Sequence, residues 1–161
     1  MTRDESVIAM LSPEEVLALV PQQRPFRFVD RLRAIDESGA TGEYTFRPDE
    51  SFYAGHFPGD PVTPGVILIE TMCQTGLVAL GIHLLALEFP LAEVRRTVTL
   101  FTEAQVEFSQ VVRPGQTVVV EAKKIFWRRR KLKSSVLLRL DDGTPIAQGT
   151  VAGMGVPREP R

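Results

Sequence analysis

The sequence predicts an α+β fold: an antiparallel sheet curled around one long central helix. Three observations carry that expectation. The run GVILIETMCQTGLVALGIHLLAL, from Gly65 to Leu87, is apolar on nearly every face, as in a helix wrapped by other protein. Segments before and after it alternate apolar and polar residues with the period of a half-buried strand. Turn signals at Arg113-Pro114-Gly115 and Asp142-Gly143 join the later segments as neighbours.

In chain order, Ser12-Pro13-Glu14-Glu15 opens a short helix, with serine as N-cap, proline at the first helical position and acids in the first turn. Pro21 closes it. Phe26 to Ile35 reads as a strand. Gly39 begins a second, with Ala40, Gly42, Tyr44 and Phe46 on one face and Thr41, Glu43, Thr45 and Arg47 on the other, so the two form a hairpin. Pro48 to Pro64 holds Pro58 and Pro61 with Gly55 and Gly59 and reads as an ordered loop. The long helix follows; some 20 residues of it span about 30 Å. After Pro90 the chain reads as strand: Leu100–Val112, Gln116–Trp127, Ser134–Leu140 and Pro145–Gly153. At 161 residues one domain is expected over 1–161, with a helix at about 12–20, a core at about 21–154 and a tail at 155–161.

Composition narrows the function. Apolar residues make up 43% and charged residues 24%, with a formal net charge of -1, which argues against disorder and against a global attraction to nucleic acid. The single cysteine, Cys73, rules out an internal disulfide, and with only two histidines it makes a metal site an unfavoured reading. The N-terminus carries acids and no apolar stretch before a small-residue cleavage site, so a cytoplasmic protein is expected. Pro64–Leu87 is apolar enough to suggest a membrane span, but Glu70, Gln74 and His83 would be expensive there, and a buried core helix is the expectation.

The chemistry gathers between Gly55 and Gln74, GHFPGDPVTPGVILIETMCQ. A helix beginning at Pro64-Gly65 offers unpaired N–H groups and a positive dipole end, an arrangement that binds an oxyanion. Gly65 has no side chain to obstruct a carbonyl resting on its N–H. Glu70 follows on the same helix, with Gln74 at i+4 able to hydrogen-bond it. Taken singly, Glu70 reads as a paired core carboxylate and His56 as a loop histidine satisfied by carbonyls. Together they supply a base, an oxyanion site and an acid in one short stretch.

GHFPG, then PGV-I-LIE and MCQ, resembles the hot-dog-fold 3-hydroxyacyl-acyl carrier protein dehydratases of fatty acid synthesis. PFRFVDRL is similar to that family's opening strand and VEFSQVVRPGQTVVVEAKK to its later hairpin, so the likeness runs from about Pro21 to Met154. It implies that His56 takes the proton next to the thioester carbonyl, that the Gly65 N–H steadies the enolate, and that a neutral Glu70 protonates the departing 3-hydroxyl. Gln74, Phe57, Pro64 and Val66 are the supporting and substrate-binding candidates. The resemblance also implies an acyl carrier protein bearing a 3-hydroxyacyl phosphopantetheine thioester, no cofactor, and a homodimer in which the glutamate comes from the neighbouring subunit. In that family the dimers commonly form a trimer of dimers. A related branch that also isomerises the double bond has aspartate in place of this glutamate, so Glu70 favours plain dehydration.

Gln22-Gln23-Arg24-Pro25-Phe26 departs from the family's usual opening run, and Thr63, Thr71 and Cys73 stand where smaller or apolar residues are usual. These positions bear on the acyl tunnel and leave room for a polyketide or polyene pathway. Arg128, Arg129, Arg130 and Lys131 form the densest basic run, read either as a solvated hairpin tip or as a docking patch for an acidic carrier protein. Cys73 reads as helix packing and His83 as a satisfied core histidine. The competing functions are a hot-dog acyl thioesterase and a non-catalytic acyl-binding subunit.

Overall fold

The computed structural model of the chain describes residues 6, 8 and 10–159. Its elements are α1 (Pro13–Leu19), β1 (Arg31–Ile35), β2 (Gly39–Thr45), α2 (Gly65–Ala86), α3 (Leu91–Arg95), β3 (Thr97–Phe108), β4 (Thr117–Arg128), β5 (Lys131–Leu140) and β6 (Pro145–Pro157). The strands form one antiparallel sheet in the order β1-β2-β4-β5-β6-β3, and α2 lies against its inner face.

α1 is capped as the sequence requires. Ser12 Oγ accepts the Glu15 N–H at 3.2 Å and Glu15 returns a carboxylate oxygen to the Ser12 N–H at 2.8 Å. β2 buries Ala40, Gly42 and Tyr44 on the expected face. α2 is greasy all round because it is covered on both sides. Leu68, Met72, Leu77, Leu80 and Leu84 meet the sheet. Val78, Ile82 and Leu85 meet a second cluster built with Val16 and Val20 near α1, Leu32 of β1, and Leu91 and Val94 of α3. Among the described residues it is the one helix long and apolar enough to cross a membrane, and 72% of its most apolar window is buried inside the protein.

Three local expectations are corrected. Phe26–Asp30 is not strand, because its backbone is held by a side chain: the Phe28 N–H donates to Gln74 Oε1 at 2.6 Å and the Phe26 carbonyl accepts from Gln74 Nε2 at 2.9 Å. Chain after Pro90 first makes α3, a helix of 5 residues whose Leu91 and Val94 are buried at i, i+3. α2 is not uniformly α-helical, since Gln74–Ala79 winds as a π-helix. There the Ser134 hydroxyl donates to the Gly76 carbonyl at 2.7 Å, a sheet side chain entering the helix's own ladder.

The basic run closes the β4–β5 hairpin. Arg129 and Arg130 occupy the turn with φ of 51° and 62°, the left-handed conformations a two-residue type I′ hairpin needs. Arg130 pairs with Glu93 of α3 and lies over the Phe89 ring, while Arg128 and Arg129 are exposed.

Candidate active site

The loop before α2 is fixed by its own backbone. Ser51–Ala54 makes a 3-10 turn, and the Phe57 and Asp60 N–H groups each donate to the other's carbonyl around Pro58-Gly59. Gly59 has φ +76°, which suits the third position of a type II turn after proline. The Val62 N–H returns to the His56 carbonyl at 2.9 Å, and the Thr63 N–H donates to Val112 at 2.9 Å. Arg113 adds an ion pair to Asp60 at 2.6 Å. The loop is therefore bound to the β3–β4 connection as well as to itself.

His56 is half-buried within it, its ring stacked on Phe57 at 4.1 Å between centroids. Its Nδ1 lies 2.7 Å from the Val62 carbonyl. A carbonyl only accepts, so Nδ1 carries a proton, and in the neutral ring the lone pair lies on Nε2. That is the tautomer a general base needs.

Beside the loop, Pro64 caps α2 with no side-chain hydrogen bond, and the Gly65 and Val66 N–H groups have no partner among the described residues. A Cβ on Gly65 would sit 3.5 Å from the Phe108 ring, an ordinary contact, so no crowding within the chain demands glycine there. Val66 is 73% exposed and Phe57 is exposed as well, so both face outward from a single chain. Pro64 is buried.

Glu70 lies farther along α2 and accepts from Gln74 Nε2 at 2.8 Å. Burial pushes its carboxyl above the usual range, with the Gln74 bond pulling the other way. The same bonds tie Glu70 to the Phe26–Phe28 loop. Within one chain His56 and Glu70 share no hydrogen bond. Arg128–Lys131 stands at the other end of β4 from this loop, and 12 residues of strand put about 36 Å between the ends.

The structure supplies contacts that the sequence could not show. Val62 sets the His56 tautomer through a backbone atom, which leaves no mark on side-chain identity. Thr63 is absorbed by a buried hydroxyl pair with Tyr53 at 2.6 Å, and Thr71 by a bond to the Ile67 carbonyl at 2.7 Å. Cys73 is buried and its thiol is pushed up to about 12, chiefly by desolvation, consistent with packing. His83 differs from expectation: it is buried, but its Nδ1 has no hydrogen-bond partner among the described residues. No group of three or more His, Cys, Asp or Glu side chains among the described residues could hold a metal.

The family model of the FabA-like domain matches residues 20–149, the loop, the helix and most of the sheet together. The chain belongs to the FabA-like family. Among curated members it is 38% identical to the 3-hydroxyacyl-[acyl-carrier-protein] dehydratase FabZ of Chloroflexus aggregans, over 74% of this chain and 79% of that protein. It is 36% identical to the dehydratase FabZ of Herpetosiphon aurantiacus over 87% and 94%. Among solved structures, the dehydratase heterocomplex ApeI:P of Xenorhabdus doucetiae superposes with a TM-score of 0.69 at 12% identity, covering 91% of this chain and 92% of that one. A mutant thioesterase of Pseudomonas aeruginosa superposes with a TM-score of 0.64 at 17% identity, over 92% and 96%. These distant likenesses establish the hot-dog fold, which this FabA-like chain builds around α2.

Proposed function

We propose that this chain is a 3-hydroxyacyl-[acyl-carrier-protein] dehydratase of fatty acid synthesis, working through His56, Gly65 and Glu70. The observation that carries the assignment is the 2.7 Å contact of His56 Nδ1 with the Val62 carbonyl, which leaves Nε2 to act as base, in the loop that leads into the uncapped N-terminus of α2. Nε2 removes the proton from the carbon next to the thioester carbonyl. The carbonyl oxygen gains negative charge and is held by the Gly65 N–H at the positive helix end. A neutral Glu70 gives its proton to the 3-hydroxyl, the C–O bond breaks, and water leaves as the trans-2-enoyl double bond forms. His56 is then charged and Glu70 ionised, and return of one proton resets both.

Two copies share each site in this reading. β3 is a 12-residue edge strand whose Leu100 and Phe101 are 54% and 55% exposed, an open edge with apolar side chains that invites pairing. Antiparallel pairing of two β3 edges covers it and brings Glu70 of one copy toward His56 of the other. β3 starts at Thr97 beside Glu93, the residue that holds Arg130, and ends at Phe108 beside Gly65. The same pairing therefore sets one copy's Arg128 and Arg129 near the other's His56 loop, where they dock an acidic carrier protein. The buried lone cysteine and the burial of α2 fit an enzyme of the cytoplasm.

The test is turnover of a 3-hydroxyacyl thioester, followed by the conjugated enoyl absorbance, in wild type, His56→Ala and Glu70→Gln. Enoyl product in wild type with near-total loss in both variants is expected. Release of free thiol instead would mean a thioesterase, and an inert wild type across carrier-linked chain lengths would mean an acyl-binding subunit.

A further inference from the structure

Gln74 joins parts of the chain that are far apart in sequence. Its side chain is 0% exposed and makes three hydrogen bonds: Oε1 from the Phe28 N–H at 2.6 Å, Nε2 to the Phe26 carbonyl at 2.9 Å, and Nε2 to Glu70 Oε1 at 2.8 Å. The two backbone partners decide which way the amide faces. Phe28 N–H can only donate and the Phe26 carbonyl can only accept, so a flipped amide would oppose like groups at both. With that orientation locked, the remaining amide hydrogen is aimed at Glu70 Oε1. In a neutral carboxyl the carbonyl oxygen is the better acceptor, and a hydroxyl hydrogen directed along this line would collide with the amide hydrogen.

We infer that Gln74 is a positioning residue that keeps the acidic proton of Glu70 on Oε2, the oxygen turned away from the amide. This deepens the dehydratase reading and rests on it for the role of Glu70 as acid. It gives each turnover a carboxyl already oriented, with Oε1 occupied and Oε2 carrying the hydrogen for the 3-hydroxyl. The Phe26–Phe28 loop becomes part of the site through two backbone atoms, although none of its side chains needs to touch substrate.

Burial and the Gln74 bond are the influences on this carboxyl, and they oppose each other. The ionisable neighbour on its own helix is Cys73, a thiol that burial keeps protonated. From the loop packed against it, the Arg27 guanidinium turns away and donates to the Leu17 carbonyl at 2.6 Å. Among the described residues, no charged side chain of β3, β4 or β5 adds to these influences. In the shared site the partner copy's histidine is the remaining group that faces it.

The test is the pH profile of kcat/KM for wild type, Gln74→Met and Gln74→Glu. Gln74→Met removes the donor at similar volume; Gln74→Glu keeps an acceptor for Phe28 and the side-chain shape. Losing the amide donor leaves the Glu70 carboxylate less stabilised, so the acid form persists to higher pH. The alkaline limb is expected to rise by about one pH unit in Gln74→Met, and further in Gln74→Glu, where a second carboxyl lies against the first. An unmoved limb with a lower plateau would reduce Gln74 to a structural role and overturn the inference. A readout that needs no Gln74 variant is the 15N-labelled side-chain amide of Gln74 in the wild type. Its shift is expected to follow the Glu70 titration and to lose that step in Glu70→Gln; a pH-independent shift would also overturn the inference. If wild type forms no enoyl product, the dehydratase reading fails, while the amide titration still reports whether Gln74 senses the Glu70 proton.

Discussion

His56 and Glu70 are each governed by their immediate surroundings. The Val62 carbonyl holds a proton on His56 Nδ1, and burial raises the Glu70 carboxyl against the pull of its Gln74 hydrogen bond. Removing either group, as in His56→Ala or Glu70→Gln, is expected to lower kcat/KM by about 10²–10⁴-fold, the usual share of general acid–base catalysis. Glu70→Gln also has a stability signature. A carboxyl whose folded pKa is raised binds its proton more tightly folded than unfolded, so stability falls as pH climbs from the unfolded to the folded pKa. The variant is thus expected to gain stability relative to wild type at alkaline pH and not at acid pH, compared by urea unfolding. Thr63→Val strands the buried Tyr53 hydroxyl and is expected to cost about 1–3 kcal/mol in the same assay.

At the scale of elements, α2 is placed by close crossings. A Cβ on Gly42 of β2 would lie 2.3 Å from Thr75 Oγ1, and one on Gly76 would lie 3.0 Å from Val136. The sheet can approach the helix here because neither glycine has a side chain, and Thr75 gives up a hydrogen bond to fill the gap beside Gly42. Gly42→Ala is expected to destabilise by about 1–3 kcal/mol through overpacking. Thr75→Ala in the same chain should recover much of it, since it clears the clash and breaks no hydrogen bond. Thermal unfolding of the single and double variants measures that coupling, and strict additivity would show that the crossing is not what limits position 42. The long helix and the β2 alternation were legible because each rests on a periodicity within one segment. Phe26–Asp30 was not, because Gln74, distant in sequence, takes the backbone groups that a strand would have used.

For the whole molecule, the proposed sharing of the site between two copies makes a prediction that no single chain can satisfy. Mixed and reassembled dimers of His56→Ala with Glu70→Gln hold one intact site in each hybrid, so about a quarter of the wild-type rate should return from two inactive parents. No recovery, after exchange is verified by differently tagged chains, would place both groups in one chain's site. Phe101→Lys on the β3 edge is expected to shift the protein toward monomer in sedimentation and to remove turnover with it. Arg129→Glu is expected to raise KM for a carrier-linked substrate far more than for the same acyl group on a small thiol.

Elements whose signals are local could be read directly from residue order: the capped α1, the β1–β2 hairpin, the proline-bound loop carrying His56, and a helix too apolar to face water yet interrupted by Glu70. The sequence also carried the order of motifs that marks the family. What depends on groups brought together from distant positions emerged only in the folded chain. The His56 tautomer depends on a backbone carbonyl, the Glu70 hydrogen bond on an amide oriented by Phe26 and Phe28, and the accommodation of Thr63 on a tyrosine hydroxyl. Residue type fixes which protons a side chain can hold, but hydrogen-bond geometry fixes where they sit, and that geometry exists only once the chain has folded.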